Sequence, residues 1–394
     1  MKEKIKEIKI KRFQNAGYGI FNHSATEVCH WTKNSIIGEA SCYKQKFYGV
    51  EAHRCIEMSP AFNVCTERCT FCWRPNEFYD KIEFEWDRPK EIIKKLVELR
   101  KQKLSGFLGN EKALKGKLKD AYYKFPNHWA ISLSGEPTLY PYLPEFIKTL
   151  RKNKNVRSIY LVSNGTEYEM IKKLSSKIDY QPVQMYLSIN SWDFDSFLRI
   201  NRPVGNKEEQ KEKWENYLKS LSILNKFERS VLRFTVIKGI NDNPKNYFEL
   251  IELAKPDFIE VKSYMHIGLS RKRLKKENMM NFGEIIKFAK ELEQLGYKII
   301  DSYERSLIIL LKREDSKQEQ IIVFNDFGEE IVLNENTPVY DILKFKKAIK
   351  LLKELNIPYW EKDSLPLIYY GKEKYEKIKN FLFENYDKQL FKTN

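Results

Sequence analysis

All six cysteines of this 394-residue chain lie between positions 29 and 72, and they fall into two groups of three. Cys65, Cys69 and Cys72 sit in CTERCTFC, a C-x3-C-x2-C spacing that follows an apolar stretch reading as a strand. Three thiolates on one loop hold three irons of a cubane 4Fe-4S cluster and leave the fourth iron without a protein ligand, so the open iron becomes a reaction site. The competing readings are a zinc knuckle and three unrelated buried thiols. Zinc would need a fourth ligand, His53 or Cys55 being nearest, and the usual paired C-x2-C and H-x3-H spacing is missing.

Cys29, Cys42 and Cys55 are separated by 12 intervening residues each time and use up the remaining thiols. A second cubane on them would carry another open iron, able to chelate a second, non-adenosyl substrate. The alternative is buried structural cysteine acting as a small hydrophobe. Lys44 and Lys46 follow at once, in CYKQKFYG. A lysine held beside a cationic or metal site loses its proton more readily and can form a Schiff base with a ketone; a solvated lysine is the ordinary alternative.

These groups need a frame. From about residue 82 an apolar strand followed by an amphipathic helix recurs, with strands expected at 129–134, 158–163, 183–189, 231–237 and 258–261. Helices are expected at 90–104, 143–152, 168–175, 208–224 and 247–255. One more strand near 59–64 makes six, and the alternation predicts an α/β fold, a parallel sheet closing as a full or partial (β/α)6 barrel with its chemistry on the loops after the strands. Three parts are expected: an N-terminal cysteine segment over 1–57, the barrel over 58–312, and a C-terminal α/β extension over 313–394 that includes a helical LKFKKAIKLLKEL. Residues 29–80 show little periodicity, as expected of a segment shaped by its ligands, and 101–124 reads as a basic insertion or helical flap.

Lys and Arg total 70 against 54 Asp and Glu, a net charge of +16, which favours a polyanionic partner and above all nucleic acid. Hydrophobic residues at 42% exclude disorder for most of the chain. No apolar run of 18 residues and no signal-peptide core occurs, so a soluble, cytoplasmic monomer without membrane contact is expected, its thiols reduced.

The first cysteine motif resembles that of the radical S-adenosylmethionine superfamily, whose open iron is chelated by the methionine amino and carboxylate groups. The cluster's electron then cleaves the sulfonium to a 5′-deoxyadenosyl radical. Ser134-Gly135-Glu136-Pro137-Thr138, after the strand WAISLS, resembles the superfamily's second-strand motif, and Gly135 permits a close backbone approach there. The resemblance implies S-adenosylmethionine binding by Gly135 and Glu136. Asn164, Ser188 and Asn190 end the next two strands with small polar groups suited to ribose or carboxylate; many members carry aspartate where Asn190 stands.

The run CHWTKNSIIGEASCYKQKFYGVEAHRCIEMSPAFNVCTERCTFCWRP more closely resembles the 4-demethylwyosine synthases, the wybutosine-synthesising radical enzymes, in their single-domain archaeal form. The likeness continues through SLSGEPTLYP, LVSNGT, LRFTVIKGIN and FIEVKSYMHIGLSRKRL, over roughly 25–312. It implies two 4Fe-4S clusters, S-adenosylmethionine, pyruvate as co-substrate, and a phenylalanine tRNA bearing N1-methylguanosine beside the anticodon. It also implies that Cys29, Cys42 and Cys55 hold the auxiliary cluster and that Lys44, with Lys46 as fallback, forms the Schiff base. Eukaryotic members carry a fused flavodoxin-like domain for which these residues leave no room, implying an external donor such as a flavodoxin or ferredoxin. Arg271, Lys272 and Arg273, with Lys275 and Lys276, then suit tRNA phosphates, though a charge run is as readily a solvated face. Trp31, Tyr43, Phe47, Tyr48 and Trp73 flank the cysteines and could stack on an extruded guanine, or be core. A radical enzyme of another kind, such as a glycyl-radical activase, would share only the first triad and the SGEPT loop. A non-catalytic iron-sulfur or zinc tRNA-binding protein would use its metal only to fold the amino-terminal region.

Overall fold

Apolar runs bounded by turn residues build the wall. A computed structural model describes residues 11, 13–40, 42–74, 76, 84–318, 320–324 and 367–370. Ten strands form one sheet: β1 (Gly19–Phe21), β2 (Ser24–Glu27), β3 (Cys55–Ser59), β4 (His128–Ile131), β5 (Ser158–Ser163), β6 (Gln184–Ser188), β7 (Ser230–Val236), β8 (Phe258–Ser263), β9 (Tyr297–Tyr303) and β10 (Ile308–Arg313). The order β1-β2-β3-β4-β5-β6-β7-β8-β10-β9 is linear, so the wall stays open between β1 and β9. β3 to β8 pair in parallel, the expected six strands of a partial (β/α)6 barrel. β1 and β2 extend one edge antiparallel, β10 and β9 the other.

The first barrel strand lies earlier than expected, at Cys55–Ser59 and not near 59–64. Pro60 has no N–H to continue a ladder, and Asn63 adopts φ 65 in the turn that follows. Cys55 therefore opens the strand, and the expected boundary at 57/58 falls inside it.

Two short helices went unforeseen. His30–Ile36 and Tyr43–Tyr48 each begin one residue after a cysteine, with Cys29 and Cys42 in the extended N-cap position. Six or seven residues carry too little hydrophobic periodicity to register as a helix. Two longer helices match expectation: Pro89–Leu104 starts on a proline, and Lys207–Ser222 on a capping box of Asn206 with Glu209; Phe282–Leu292 starts on another, of Asn281 with Glu284. The basic stretch near 101–124 is the end of Pro89–Leu104 plus the helix Lys115–Tyr123; Leu104, Leu118 and Ala121 pack on Val28 and Ile36 and so cover the cysteine segment.

Alternation along the strands divides the wall into two faces. Ile159, Leu161, Met185, Leu187, Leu232, Phe234, Ile259 and Val261 point one way into the main core. The other face carries Tyr160, Gln184, Tyr186, Ser188, Arg233, Glu260, Thr235 and Lys262, brought side by side by the registers Tyr160↔Gln184, Ser188↔Arg233, Arg233↔Glu260 and Thr235↔Lys262. The helix Tyr43–Tyr48 fills this concave face. The Tyr48 hydroxyl donates to Glu260 Oε1 at 2.7 Å, and its ring lies 6.3 Å from that of Tyr160.

At the N-terminal end of the strands the buried Glu51 carboxylate gathers Arg157 at 3.0 Å, Arg54 at 3.4 Å and the Asn127 amide. His128 Nε2 accepts the Glu51 N–H at 3.0 Å, so its proton is on Nδ1, which meets Ser158 Oγ at 2.7 Å. Burial would raise the Glu51 carboxyl, but Arg157 and then Arg54 outweigh it and hold it below the ordinary 4.5. Its contribution is full above that ordinary value and is lost as pH falls through the depressed one. Glu51→Ala strands two buried arginines and is expected to cost about 3–5 kcal/mol in urea unfolding at pH 7.

Beyond Arg313, Ile321–Phe324 (β11) pairs antiparallel with Leu367–Tyr370 (β12). The expected helix in LKFKKAIKLLKEL and most of the C-terminal extension lie outside the described residues, as does the basic start at 1–10. No helix among the described residues is long and apolar enough to cross a membrane.

Candidate active site

The loop after β3 carries Cys65, Cys69 and Cys72, and the loops after the next strands hold it from below and from the side. Gly135, after β4, has φ +79, and a Cβ there would lie 2.0 Å from the Ala61 carbonyl oxygen and 2.4 Å from that of Val64. The Glu136 N–H donates to Val64 O at 2.7 Å. Any side chain at 135 would push the cysteine loop away. Gly135→Ala is expected to destabilise the fold by at least about 3 kcal/mol, and to lower iron bound per chain after reconstitution, read by thermal melting and metal analysis.

The Glu136 side chain is only 2% exposed. Its Oε1 accepts from Thr138 Oγ1 at 2.6 Å and Ser163 Oγ at 2.8 Å, and its Oε2 from the Asn164 N–H at 2.8 Å. Asn164 in turn donates to Thr66 Oγ1 at 2.8 Å and lies 3.9 Å from Cys65 Sγ. Glu136 thus ties the β4 and β5 loops together. Ser188 is half-buried at the end of β6. Asn190 departs from the expected cofactor contact: it is 3% exposed and its Oδ1 accepts the Thr235 N–H at 2.9 Å, locking β6 to β7. The Asn190 amide thus finds its partner in the neighbouring strand.

Sequence reasoning missed two supports of the cysteine loop. The π-turn Phe197–Asn201 accepts Thr70 N–H on Ile200 O at 2.9 Å, and Asn201 Nδ2 donates to Glu67 Oε2 at 3.0 Å, which also takes the Cys69 thiol at 3.0 Å. Burial pushes Glu67 up to about 8. Its place inside CTERC was the available signal. The second support is Arg273, expected to meet phosphate. It is half-buried and donates to Thr70 O at 3.0 Å and to Cys72 O, while the Leu269 N–H donates to Trp73 O at 3.0 Å. Gly268 sits so close that a Cβ would come 2.3 Å from the Trp73 carbonyl. Arg273 therefore braces the cysteine loop, its guanidinium fork meeting two carbonyls of the turn at once. Arg271 and Lys272 stay exposed on the same turn.

The second triad brackets the other end of β3. Cys29 Sγ lies 3.3 Å from Thr32 Oγ1, and Arg100, itself buried, donates to Cys55 O at 3.1 Å and His53 O at 2.8 Å. Burial pushes the Cys29 thiol up to about 12, with Glu57 and Cys42 adding to it, and raises Cys42 and Cys55. In the first triad burial, then Glu136, raises Cys65, and burial, then Glu67, raises Cys69; Cys72 adds to both. Thiolates so placed need nearby positive charge to form, which bound iron would supply. No three His, Cys, Asp or Glu side chains among the described residues close on a single metal ion. An all-thiol donor set of three and three fits clusters, whose irons are separate corners.

Lys44 and Lys46 diverge. Lys46 is 43% exposed at its side chain, pairs with Asp301 at 2.8 Å and donates to Ser302 O. Lys44 turns inward, its Nζ 4.5 Å from the Tyr160 ring centre and 5.1 Å from that of Tyr186. Lys262, also on the concave face, donates to Ser306 O, and burial reinforced by Arg233 lowers it to about 7. Of the flanking aromatics, Tyr43, Phe47 and Tyr48 are core and Trp31 is half-buried, its ring 6.1 Å from that of Tyr303. Trp73 is 42% exposed, with the Arg74 guanidinium 3.4 Å from its ring centre.

Residues 59–251 match the family described as radical SAM superfamily, and 253–313 the family described as wyosine base formation. An S-adenosyl-L-methionine-dependent tRNA 4-demethylwyosine synthase of Methanocaldococcus jannaschii is 42% identical over 308 residues, covering 76% of this chain and 94% of that one. The mouse protein of that description is 34% identical over 76% of this chain and 41% of its own length. A solved structure described as TYW1 with a lysine-pyruvate adduct bound superposes with TM-score 0.69 at 39% identity, covering 79% of this chain and 96% of that one. An archaeal TYW1 crystal structure gives 0.64 at 35%, over 80% and 98%.

Proposed function

Since the chain belongs to the radical SAM tRNA 4-demethylwyosine synthases, we propose that it condenses N1-methylguanosine, beside the anticodon of phenylalanine tRNA, with pyruvate to give 4-demethylwyosine. The observation that carries this reading is the placement of Lys44. Its amine projects from the helix that Cys42 opens, over Tyr160 and Tyr186, into the concave face of a barrel whose loop edge bears Cys65, Cys69 and Cys72. The 39% identical TYW1 carries a lysine-pyruvate adduct, and Lys44 is the lysine we assign to that role here.

Cys65, Cys69 and Cys72 would hold a 4Fe-4S cluster which, with S-adenosylmethionine bound, would supply the 5′-deoxyadenosyl radical needed to take hydrogen from the N-methyl group. Cys29, Cys42 and Cys55 would hold the second cluster. The chain's own part is positioning. The Lys44 amine adds to the pyruvate ketone, water leaves, and the imine holds the three-carbon unit where the methylene carbon can reach it. Tyr160 and Tyr186 wall that amine on two sides. Gly135 and the Glu136 backbone form the floor near the first triad, and Asn164 reaches its edge. Exposed Trp73 offers a stacking face to the extruded guanine, and Arg271 and Lys272 offer phosphate contacts. The enzyme acts in the cytoplasm as a monomer, reduced by an external flavodoxin or ferredoxin.

The test is anaerobic incubation of reconstituted protein with S-adenosylmethionine, reductant, pyruvate and methylguanosine-bearing phenylalanine tRNA, with digested nucleosides read by mass spectrometry. A tricyclic nucleoside appearing only with pyruvate is the expected result. Formation of 5′-deoxyadenosine without any new nucleoside overturns the substrate assignment.

A further inference from the structure

Arg233 is a charged residue in the middle of an apolar strand, SVLRFTV, and Glu260 and Lys262 interrupt the adjacent FIEVKS in the same alternation. Such residues are rare inside a barrel wall, and here all three project onto the concave face with Lys44. Arg233 Nη1 donates to Glu260 Oε2 at 3.0 Å and to the Tyr43 hydroxyl. Glu260 Oε1 receives the hydroxyls of Tyr48 at 2.7 Å and Tyr186 at 3.0 Å, so this carboxylate is already saturated. The Arg233 Nε and Nη2 make no bond among the described residues, and its side chain is 20% exposed to the barrel interior. One edge of the guanidinium is thus fixed and the other is presented. Tyr186 links the two cations: its ring lies under the Lys44 amine and its hydroxyl bonds the carboxylate that holds Arg233. Tyr43, the partner of Arg233, immediately precedes Lys44 in the same helix. Lys44, Arg233 and Lys262 share this face with the carboxylates of Glu260 and Glu57, and Lys44 acts on Glu57.

We infer that the free edge of the Arg233 guanidinium binds the carboxylate of a small 2-oxo acid whose ketone condenses with Lys44. The inference rests on the proposed Schiff base and adds the group that selects an acid over a neutral ketone. A planar fork held by Glu260 and Tyr43 meets a carboxylate with two parallel hydrogen bonds, which a methyl ester cannot accept in the same way.

The experiment is borohydride trapping on the full-length reconstituted protein, with the mass gain on Lys44 followed against the concentration of pyruvate or of methyl pyruvate. Wild type is expected to trap pyruvate at far lower concentration than the ester. Arg233→Met is expected to raise the half-saturating pyruvate concentration about 10- to 100-fold and leave the ester curve in place, with Arg233→Lys between the two. Because Arg233→Met leaves Glu260 without its cation, the double variant Arg233→Met with Glu260→Gln provides a second measurement in a neutral site. Unchanged pyruvate curves in folded variants overturn the role of Arg233 while leaving the Schiff base intact. No adduct on Lys44 in wild type with either ketone overturns the Schiff base itself, and the carboxylate role with it.

Discussion

Cys65→Ala is expected to abolish 5′-deoxyadenosine formation in reconstituted protein, to the level of a reaction without enzyme, and with it all nucleoside product. Removing one of three thiolates takes away a corner ligand of the cluster that would supply the electron. Glu67 on the same loop is held by Asn201, and burial disfavours its charged form, so it is a poor substitute. Liquid chromatography of quenched reactions reads the result directly. Cys42→Ala provides the contrast: cleavage continues and the tricyclic base does not form, because the thiol lost belongs to the other triad. Normal cleavage in Cys65→Ala would sink the assignment of the first triad.

The second large effect is at the amine. Lys44→Ala is expected to lower tricyclic base formation by at least about 1,000-fold while 5′-deoxyadenosine still appears, since the radical source is untouched and the nucleophile is gone. Lys46→Ala is expected to stay within about threefold of wild type, because its amine is tied to Asp301 and the Ser302 carbonyl at the rim. The pair of variants discriminates two lysines that sequence spacing could only rank. A normal rate of base formation in Lys44→Ala shows that the Schiff base forms elsewhere or not at all.

The two cysteine triads and the strand-helix alternation were legible because both are local patterns. A C-x3-C-x2-C spacing needs no third dimension to be read, and strands such as Ser158–Ser163 and helices such as Tyr168–Ser175 coincide with their apolar runs. The helices of the cysteine segment were not legible. His30–Ile36 and Tyr43–Tyr48 are two turns or less, and their stability comes from packing into the barrel and under Lys115–Tyr123, a long-range property. Arg273 was misjudged for the same reason. As one of five basic residues in six positions it looks like its neighbours, and only the fold shows its guanidinium on the carbonyls of Thr70 and Cys72. Arg233, Glu260 and Lys262 left a readable trace, charge at alternate positions in apolar strands, that points to a polar interior without saying what occupies it.

The brace formed by Gly268, Leu269 and Arg273 against residues 70–73 has an evolutionary consequence. Because the turn after β8 is bonded to the cysteine loop at three carbonyls, neither can gain or lose a residue alone, and substitutions at 268 or 273 are admissible only in step with the opposing loop. Change at this turn that leaves the cysteine loop undisturbed is therefore confined to the exposed side chains at 271 and 272.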